Sequence, residues 1–210
     1  PRSTHCISSA ASDVYKRQQS DNAAKLHEKH ERNLMCEGFV QRGDASSAII
    51  DAEFVVEGYF NSGFVEHAYI EPEAGYAEVI DGKVIIHACT QAPVMDQEAL
   101  EIILARDKSQ IRIIPSSVGG GFGSKLDISV QPILAMAAIK TGQPVRLTYT
   151  RTESMQSTTK RHPSDIHLKI GANSDGKVTG FDFLGSFDTG AYASWGPTVA
   201  NRVPVHALSL

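Results

Sequence analysis

Apolar and polar residues follow one another along this chain in short blocks, and each block predicts an element. The run Ala52-Glu53-Phe54-Val55-Val56-Glu57-Gly58-Tyr59-Phe60 reads as one long strand, broken by Asn61-Ser62-Gly63. Pro72 cannot donate to a ladder, so an irregular turn is expected there before a strand over 75–80. Asp81-Gly82 is a hairpin turn signal, and 83–89 pairs back as the next strand. Thr90-Gln91-Ala92-Pro93 closes that strand and opens a helix, with Pro93 at its first position. Val94, Ala99, Leu100, Ile103 and Leu104 give that helix an apolar face through Ala105. The apolar run Ile111-Arg112-Ile113-Ile114-Pro115 is a strand candidate. Ile128, Pro132, Ile133, Met136, Ala137 and Ile139 then place a second helix that Thr141-Gly142 stops.

Further on, 145–150 alternates like a strand and 152–157 suits a short helix. Residues 165–171 and 177–187 form two strands joined by the turn Asn173-Ser174-Asp175-Gly176. Asp182 and Asp188 would then share one strand face. Asp188-Thr189-Gly190 leaves the strand, and Trp195-Gly196-Pro197 begins a loop or short helix. Nearer the start, 19–48 is polar, with a charged cluster from Lys25 to Arg32. A weak strand is expected over 33–40, a turn at Gly43-Asp44 and a short helix over 45–52. Helices and hairpins alternate without a uniform βαβ repeat, so the pattern favours an α+β fold.

Composition narrows the function classes. The 210 residues are 41% hydrophobic and 21% charged, which suits a globular chain with a core of its own. A formal net charge of −4 argues against nucleic acid or an anionic membrane as the main partner. No apolar run is long enough to span a bilayer. Cys6, Cys36 and Cys89 form no CxxC pair, so neither a zinc site nor an iron–sulfur cluster is encoded. The odd cysteine count suits a reducing cytoplasm. His67, His87, His162 and His167 have no cage spacing, and Cys89 reads as a small buried hydrophobe. Residues 1–18 lack a start Met and periodicity, and Asp13-Val14-Tyr15-Lys16-Arg17-Gln18 looks like a translated sequencing-library adapter. They are set aside as a non-native leader.

The chemistry concentrates in Val118-Gly119-Gly120-Gly121-Phe122-Gly123-Ser124-Lys125, between the strand at Ile111 and the second helix. Glycines allow positive φ and close backbone approach, and such a turn is a common seat for anions. The phosphate-loop order fails, because Ser124 precedes Lys125 rather than following it. The dinucleotide spacing fails as well, with Ser124 at the third glycine position. A tight structural turn remains open at this stage, and so does a nucleotide-binding enzyme.

Taken in order, Thr90-Gln91, the glycine loop, Val56-Glu57-Gly58-Tyr59-Phe60 and Glu66-His67-Ala68-Tyr69-Ile70-Glu71-Pro72-Glu73 resemble the molybdenum-binding subunit of the xanthine dehydrogenase and aldehyde oxidase family. Thr141-Gly142-Gln143-Pro144-Val145-Arg146, Arg161-His162-Pro163 and Gly190-Ala191-Tyr192 fit the same series, which covers residues 30–210. The resemblance implies residues 19–60 as the C-terminal part of a hammerhead-like domain and 61–210 as the N-terminal part of the molybdopterin-binding domain. It implies molybdenum held through a pterin dithiolene, in the cytosine dinucleotide form, with no direct protein ligand. The implied reaction is water-derived hydroxylation of an N-heterocycle or aldehyde, with electrons passed to 2Fe–2S and FAD on partner subunits of a hetero-oligomer.

By the same resemblance, Gln91 reaches a molybdenum oxygen with its side-chain amide, a neutral donor. Its alternative is a helix cap. Gly120, Gly121, Phe122 and Gly123 form the loop beside the metal and pterin, although Phe122 would serve equally in a core. Leu126 stands where xanthine-oxidising relatives carry a substrate-binding glutamate, which counts against xanthine. Arg202 corresponds to a second substrate-orienting residue, or forms an ordinary ion pair. Glu71 and Glu73, which flank Pro72, are expected to be structural rather than an acid–base pair. The general base of the family falls outside these residues, so the 210 residues alone are expected to hold no cofactor. The competing reading is a scaffold that keeps the fold without the site.

Overall fold

A computed structural model describes residues 23–25, 33–190 and 192–207. In chain order its elements are α1 (Ala45–Ile50), β1 (Phe54–Ser62), β2 (Ala74–Ile80), β3 (Lys83–Ala88), α2 (Pro93–Leu104), β4 (Ile111–Pro115), α3 (Gln131–Thr141), β5 (Val145–Thr148), α4 (Arg151–Ser157), β6 (Ser164–Ala172), β7 (Val178–Phe187) and α5 (Gly196–Ala207). They fall into two compact units. One combines Pro1–Phe64 with His162–Leu210, and the other is Val65–Arg161. The mixed content bears out the α+β expectation.

The Val65–Arg161 unit is a four-stranded sheet in the order β4-β3-β2-β5. Asp81 and Gly82 both take positive φ (48° and 77°), the backbone of a tight turn whose twist matches its strands. β2 therefore pairs antiparallel with β3 through Ile80↔Lys83. β3 then crosses through α2 to β4, which lies parallel to it with Ala88 opposite Pro115. Val84, Ile86 and Ala88 alternate onto one face and are fully buried with Ala77, Leu100, Ile111, Leu134, Ala135 and Ala138. α3 lies on β2 and β3, and α2 lies on β4 and α3. Gly75 makes that approach possible, since a Cβ there would stand 2.6 Å from Leu134 Cδ1.

One polar pair is sealed into this core. Asp96 on α2 is fully buried and accepts from Gln131 Nε2 at 3.1 Å, which ties α2 to the start of α3. Its other oxygen has no partner among the described residues. Burial pushes the Asp96 carboxyl above its ordinary value, against the opposing effects of Thr90 and Gln131.

The other unit is the antiparallel sheet β1-β6-β7. α1 rests on β6 and β7, with Asp44 capping it by accepting from the Ser47 N–H at 3.1 Å. Gly171 and Gly180 stand opposite each other in the ladder. A Cβ on Gly180 would lie 2.7 Å from Ile49, and one on Gly171 would lie 2.8 Å from Ala52. The two glycines form the saddle in which the helix sits.

Four local expectations change. Residues 34–40 join no sheet, because their apolar groups find no ladder partner among the described residues. Ile128 precedes α3 rather than belonging to it, since the helix opens at Gln131-Pro132 with proline in its first turn. Pro197 likewise helps open α5, a 12-residue helix, longer than the loop or short helix expected there. Asp188 lies beyond β7 and accepts from the Gly190 N–H at 2.8 Å, so it shares no strand face with Asp182. The adapter-like leader, most of the Lys25–Arg32 cluster and Ala191 lie outside the described residues.

Two outcomes follow from this packing. Asp96→Asn keeps an acceptor for Gln131 and removes the buried charge. A raised carboxyl pKa in the folded state means stability lost as pH climbs from 3.8 through the folded value. The variant is therefore expected to be more stable than the parent at pH 7. The gain should shrink to nothing below pH 3.8 in urea titrations. Gly180→Val drives a side chain into the α1 backbone and should cost about 1–3 kcal/mol, read from urea melts followed by Trp195 fluorescence.

Candidate functional site

Parallel pairing brings the C-terminal ends of β3 and β4 side by side, and the Ser116 N–H extends the ladder to Ala88 O at 3.0 Å. The chain leaving β3 carries Gln91, and the chain leaving β4 carries the glycine loop. In such sheets the crevice at the carboxyl ends of parallel strands is the usual ligand position.

The loop has an unusual backbone. Gly120, Phe122 and Gly123 all have positive φ, at 100°, 51° and 94°. Gly123 N–H donates to Gln91 Oε1 at 3.1 Å, and Ser124 N–H donates to Gly121 O at 2.8 Å. The N–H groups of Gly120, Gly121 and Phe122 donate to no acceptor among the described residues. A run of free N–H groups in such a conformation is a concave donor surface. Phe122 is 75% exposed, so its ring is not part of the core.

Gln91 faces this loop at close range. A Cβ on Gly121 would lie 2.3 Å from Gln91 Oε1, so only glycine leaves room for the carboxamide. The bond from Gly123 assigns the carboxamide oxygen as the acceptor and leaves Nε2 as the donor atom, with no acceptor among the described residues. Gln91 does not cap α2. The N-cap is Ala92, without a side-chain bond, and Thr90 Oγ1 accepts from the Ala92 N–H at 3.0 Å.

Beneath the loop lies a charged layer. Lys125 is only 3% exposed, and its Nζ donates to Glu71 Oε2 at 2.6 Å and to Glu71 O at 3.0 Å. The same Nζ lies 4.6 Å from the centre of the Tyr69 ring. Glu71 Oε2 also accepts from the Gly119 N–H at 2.9 Å. Tyr69 is buried and donates its hydroxyl to the buried Glu73. Burial first, and then Glu73, push the Tyr69 phenol above its ordinary value. Arg151 donates to Tyr69 O at 2.8 Å and to Ile70 O. Ser124 Oγ is held by Thr159 at 3.0 Å.

Gln91, Gly121 and Gly123 therefore form one cluster, with Gly120 and Phe122 beside them. Leu126 ends the short 3₁₀ turn Ser124–Leu126 and is half-buried. Arg202 lies on α5, exposed, in the other unit. Glu71 and Glu73 turn to different partners, which fits a structural reading and not an acid–base pair. The nucleotide reading loses its two supports. No α-helix starts at the loop, and the lysine that would meet phosphate is buried against Glu71. Among the described residues no group of three His, Cys, Asp or Glu could hold a metal ion. None of their helices is long and apolar enough to cross a membrane. Sequence reasoning missed Lys125, Tyr69, Arg151 and Thr159 as supports. The only local signal was a lysine two residues after the last glycine of the loop.

A family model described as a molybdopterin cofactor-binding domain matches residues 26–210. The nicotinate dehydrogenase large molybdopterin subunit of Eubacterium barkeri is 38% identical over 170 residues, 80% of this chain and 40% of that protein. A probable xanthine dehydrogenase subunit of Bacillus subtilis is 36% identical over 187 residues, 89% of this chain and 25% of that protein. Among solved structures, the aldehyde oxidoreductase from Desulfovibrio gigas superposes with a TM-score of 0.79 at 27% identity, covering 88% of this chain and 20% of that one. The chain thus spans less than half the length of these relatives.

The contact between Gly121 and Gln91 can be tested directly. Gly121→Ala keeps an ordinary backbone but puts a methyl group where the carboxamide lies. The side chain should swing away, and the Gly123 amide proton should exchange about tenfold faster, as expected for one lost hydrogen bond. Unchanged exchange would show that the carboxamide had not moved.

Proposed function

Because the chain belongs to the molybdopterin cofactor-binding domain family, we propose that its parent protein is the molybdenum-bearing catalytic subunit of a hydroxylase acting on an N-heterocycle or an aldehyde. One observation carries the reading. The Gln91 carboxamide packs against Gly121 and accepts from the Gly123 N–H through its oxygen, which leaves Nε2 as a donor on the residue that meets the loop whose Gly120, Gly121 and Phe122 N–H groups have no acceptor among the described residues. These residues suit a molybdopterin: they offer neutral donors to oxygen and nitrogen acceptors, no protein metal ligand, and no side chain at Gly121 to block approach. When bound, that cofactor supplies two-electron oxidation with oxygen taken from water.

The chain's own part is binding and orientation. Gln91 Nε2 donates to an oxygen of the cofactor without adding charge. The loop N–H groups serve its remaining acceptors, and Gly123 holds Gln91 in place. The exposed Phe122 ring offers an apolar wall to a flat substrate or to the pterin. Leu126 brings no carboxylate to a purine, which favours heterocycles other than xanthine, or aldehydes. The likeness to a nicotinate dehydrogenase subunit supports the heterocycle arm. Arg202 is assigned to substrate orientation. We assign the cofactor to the cytosine dinucleotide form and the electrons to 2Fe–2S and FAD carried by partner subunits, in a cytoplasmic hetero-oligomer.

Metal and pterin analysis of the full-length protein, followed by assays on N-heterocycles and aldehydes, tests the reading. Stoichiometric molybdenum and turnover of one class are expected. Gln91→Ala should keep the molybdenum and lower kcat about a hundredfold, the scale for losing one oriented donor. A correctly assembled protein without molybdenum, or a Gln91→Ala variant with full kcat, contradicts the proposal.

A further inference from the structure

We propose that the Lys125–Glu71 ion pair is a positioning element that sets Gln91 and the glycine loop and does not itself meet cofactor or substrate. This rests on the function proposed above for the loop. Lys125 cannot reach a ligand, because Nζ is enclosed and occupied by Glu71 Oε2, Glu71 O and the Tyr69 ring. What it controls is the chain around it. The Lys125 carbonyl accepts from the Gln91 N–H at 2.9 Å, so the backbone of Gln91 hangs on this residue. At the other end of the loop, Gly119 donates to the carboxylate that binds Lys125, and Gly119 O accepts from the Glu71 N–H at 3.3 Å.

One carboxylate oxygen therefore closes the mouth of the loop. It binds the residue that enters the glycines and the residue that leaves them. Arg151 fixes the backbone from which Glu71 projects, through Tyr69 O and Ile70 O, and Thr159 anchors Ser124 beside Lys125. The side-chain carboxamide of Gln91 depends on the same frame, since its acceptor contact comes from Gly123 inside the closed loop. The ion pair brings no net charge to the site, so its effect is geometric. A misplacement of about 1 Å in a positioned group can lower turnover about a hundredfold.

The variants Lys125→Met, Glu71→Met and Glu71→Gln in the full-length, assembled protein separate geometry from charge. Gln keeps one oxygen able to accept from both Lys125 and Gly119, yet leaves the lysine charge unbalanced; Met removes the acceptor. In both Met variants, amide exchange at Gln91, Gly119 and Gly123 should rise about tenfold relative to β3, as for a lost hydrogen bond. Molybdenum content should hold and kcat should fall about a hundredfold with KM little changed. Glu71→Gln should recover most of both losses.

Loop exchange unchanged in the Met variants overturns the proposal. So does unchanged kcat despite faster exchange, or a Glu71→Gln variant as impaired as Glu71→Met. If Lys125→Met does not fold, the two Glu71 variants decide the matter, since that side chain is 30% exposed and tolerates replacement more readily. A parent protein without molybdenum would defeat the proposed function, while the exchange measurements would still decide whether the ion pair holds the loop.

Discussion

The parallel pairing of β3 with β4 constrains everything above it. An antiparallel pair would send the chain after one strand and the chain after the other to opposite ends of the sheet. Here Ala88 stands opposite Pro115, so Gln91 and the glycine loop leave from the same end and meet. Parallel pairing requires a crossover, and α2 provides it. The buried stripe of α2 and α3, with Leu100, Leu134, Ala135 and Ala138 against Val84 and Ile86, keeps that crossover in place. Site and core are thus two ends of one packing arrangement. The hydrophobic face settles where the strands lie, and the strand ends settle which polar groups become neighbours.

Polar burial follows a different logic in the two layers of this unit. In the core, Asp96 is shared between α2 and α3 and keeps one oxygen unpaired, an arrangement that costs stability but joins two helix starts. Under the loop, Lys125 is surrounded by partners, which is the condition for holding a charge out of water. The second arrangement lies beneath a backbone with positive φ at Gly120, Phe122 and Gly123, of which only Phe122 is a residue that ordinarily resists it.

Much of the fold could be read from the chain because its signals are local. Asp81-Gly82 turned the β2–β3 hairpin, Pro93 opened α2, Gly142 closed α3 and Asn173 to Gly176 turned β6 into β7. What the sequence could not disclose is non-local. The partner of β1 is β6, more than a hundred positions further on, and no periodicity names it. Residues 34–40 looked like a strand because apolar spacing says nothing about whether a ladder partner exists. In the site, Gln91 and the glycines were legible through their order and resemblance. The Glu71–Lys125 pair was not, because 54 residues separate the partners, and neither the structural reading of Glu71 nor the place of Lys125 in the loop names the other.

The closed fit between Gly121 and Gln91 has a consequence for recognition. Gly123 bonds the carboxamide oxygen, and the missing Cβ at Gly121 leaves the space that the group occupies. That bond forms when the chain folds, so part of the side chain's rotational freedom is given up before anything binds. A ligand with an acceptor atom within reach of Nε2 would then have less ordering left to oppose the encounter. The loop discriminates in the same way. Bonds at Gly119, Gly123 and Ser124 hold its backbone on either side of the donors, which favours a matching outline of acceptors over one that would require the donors to turn.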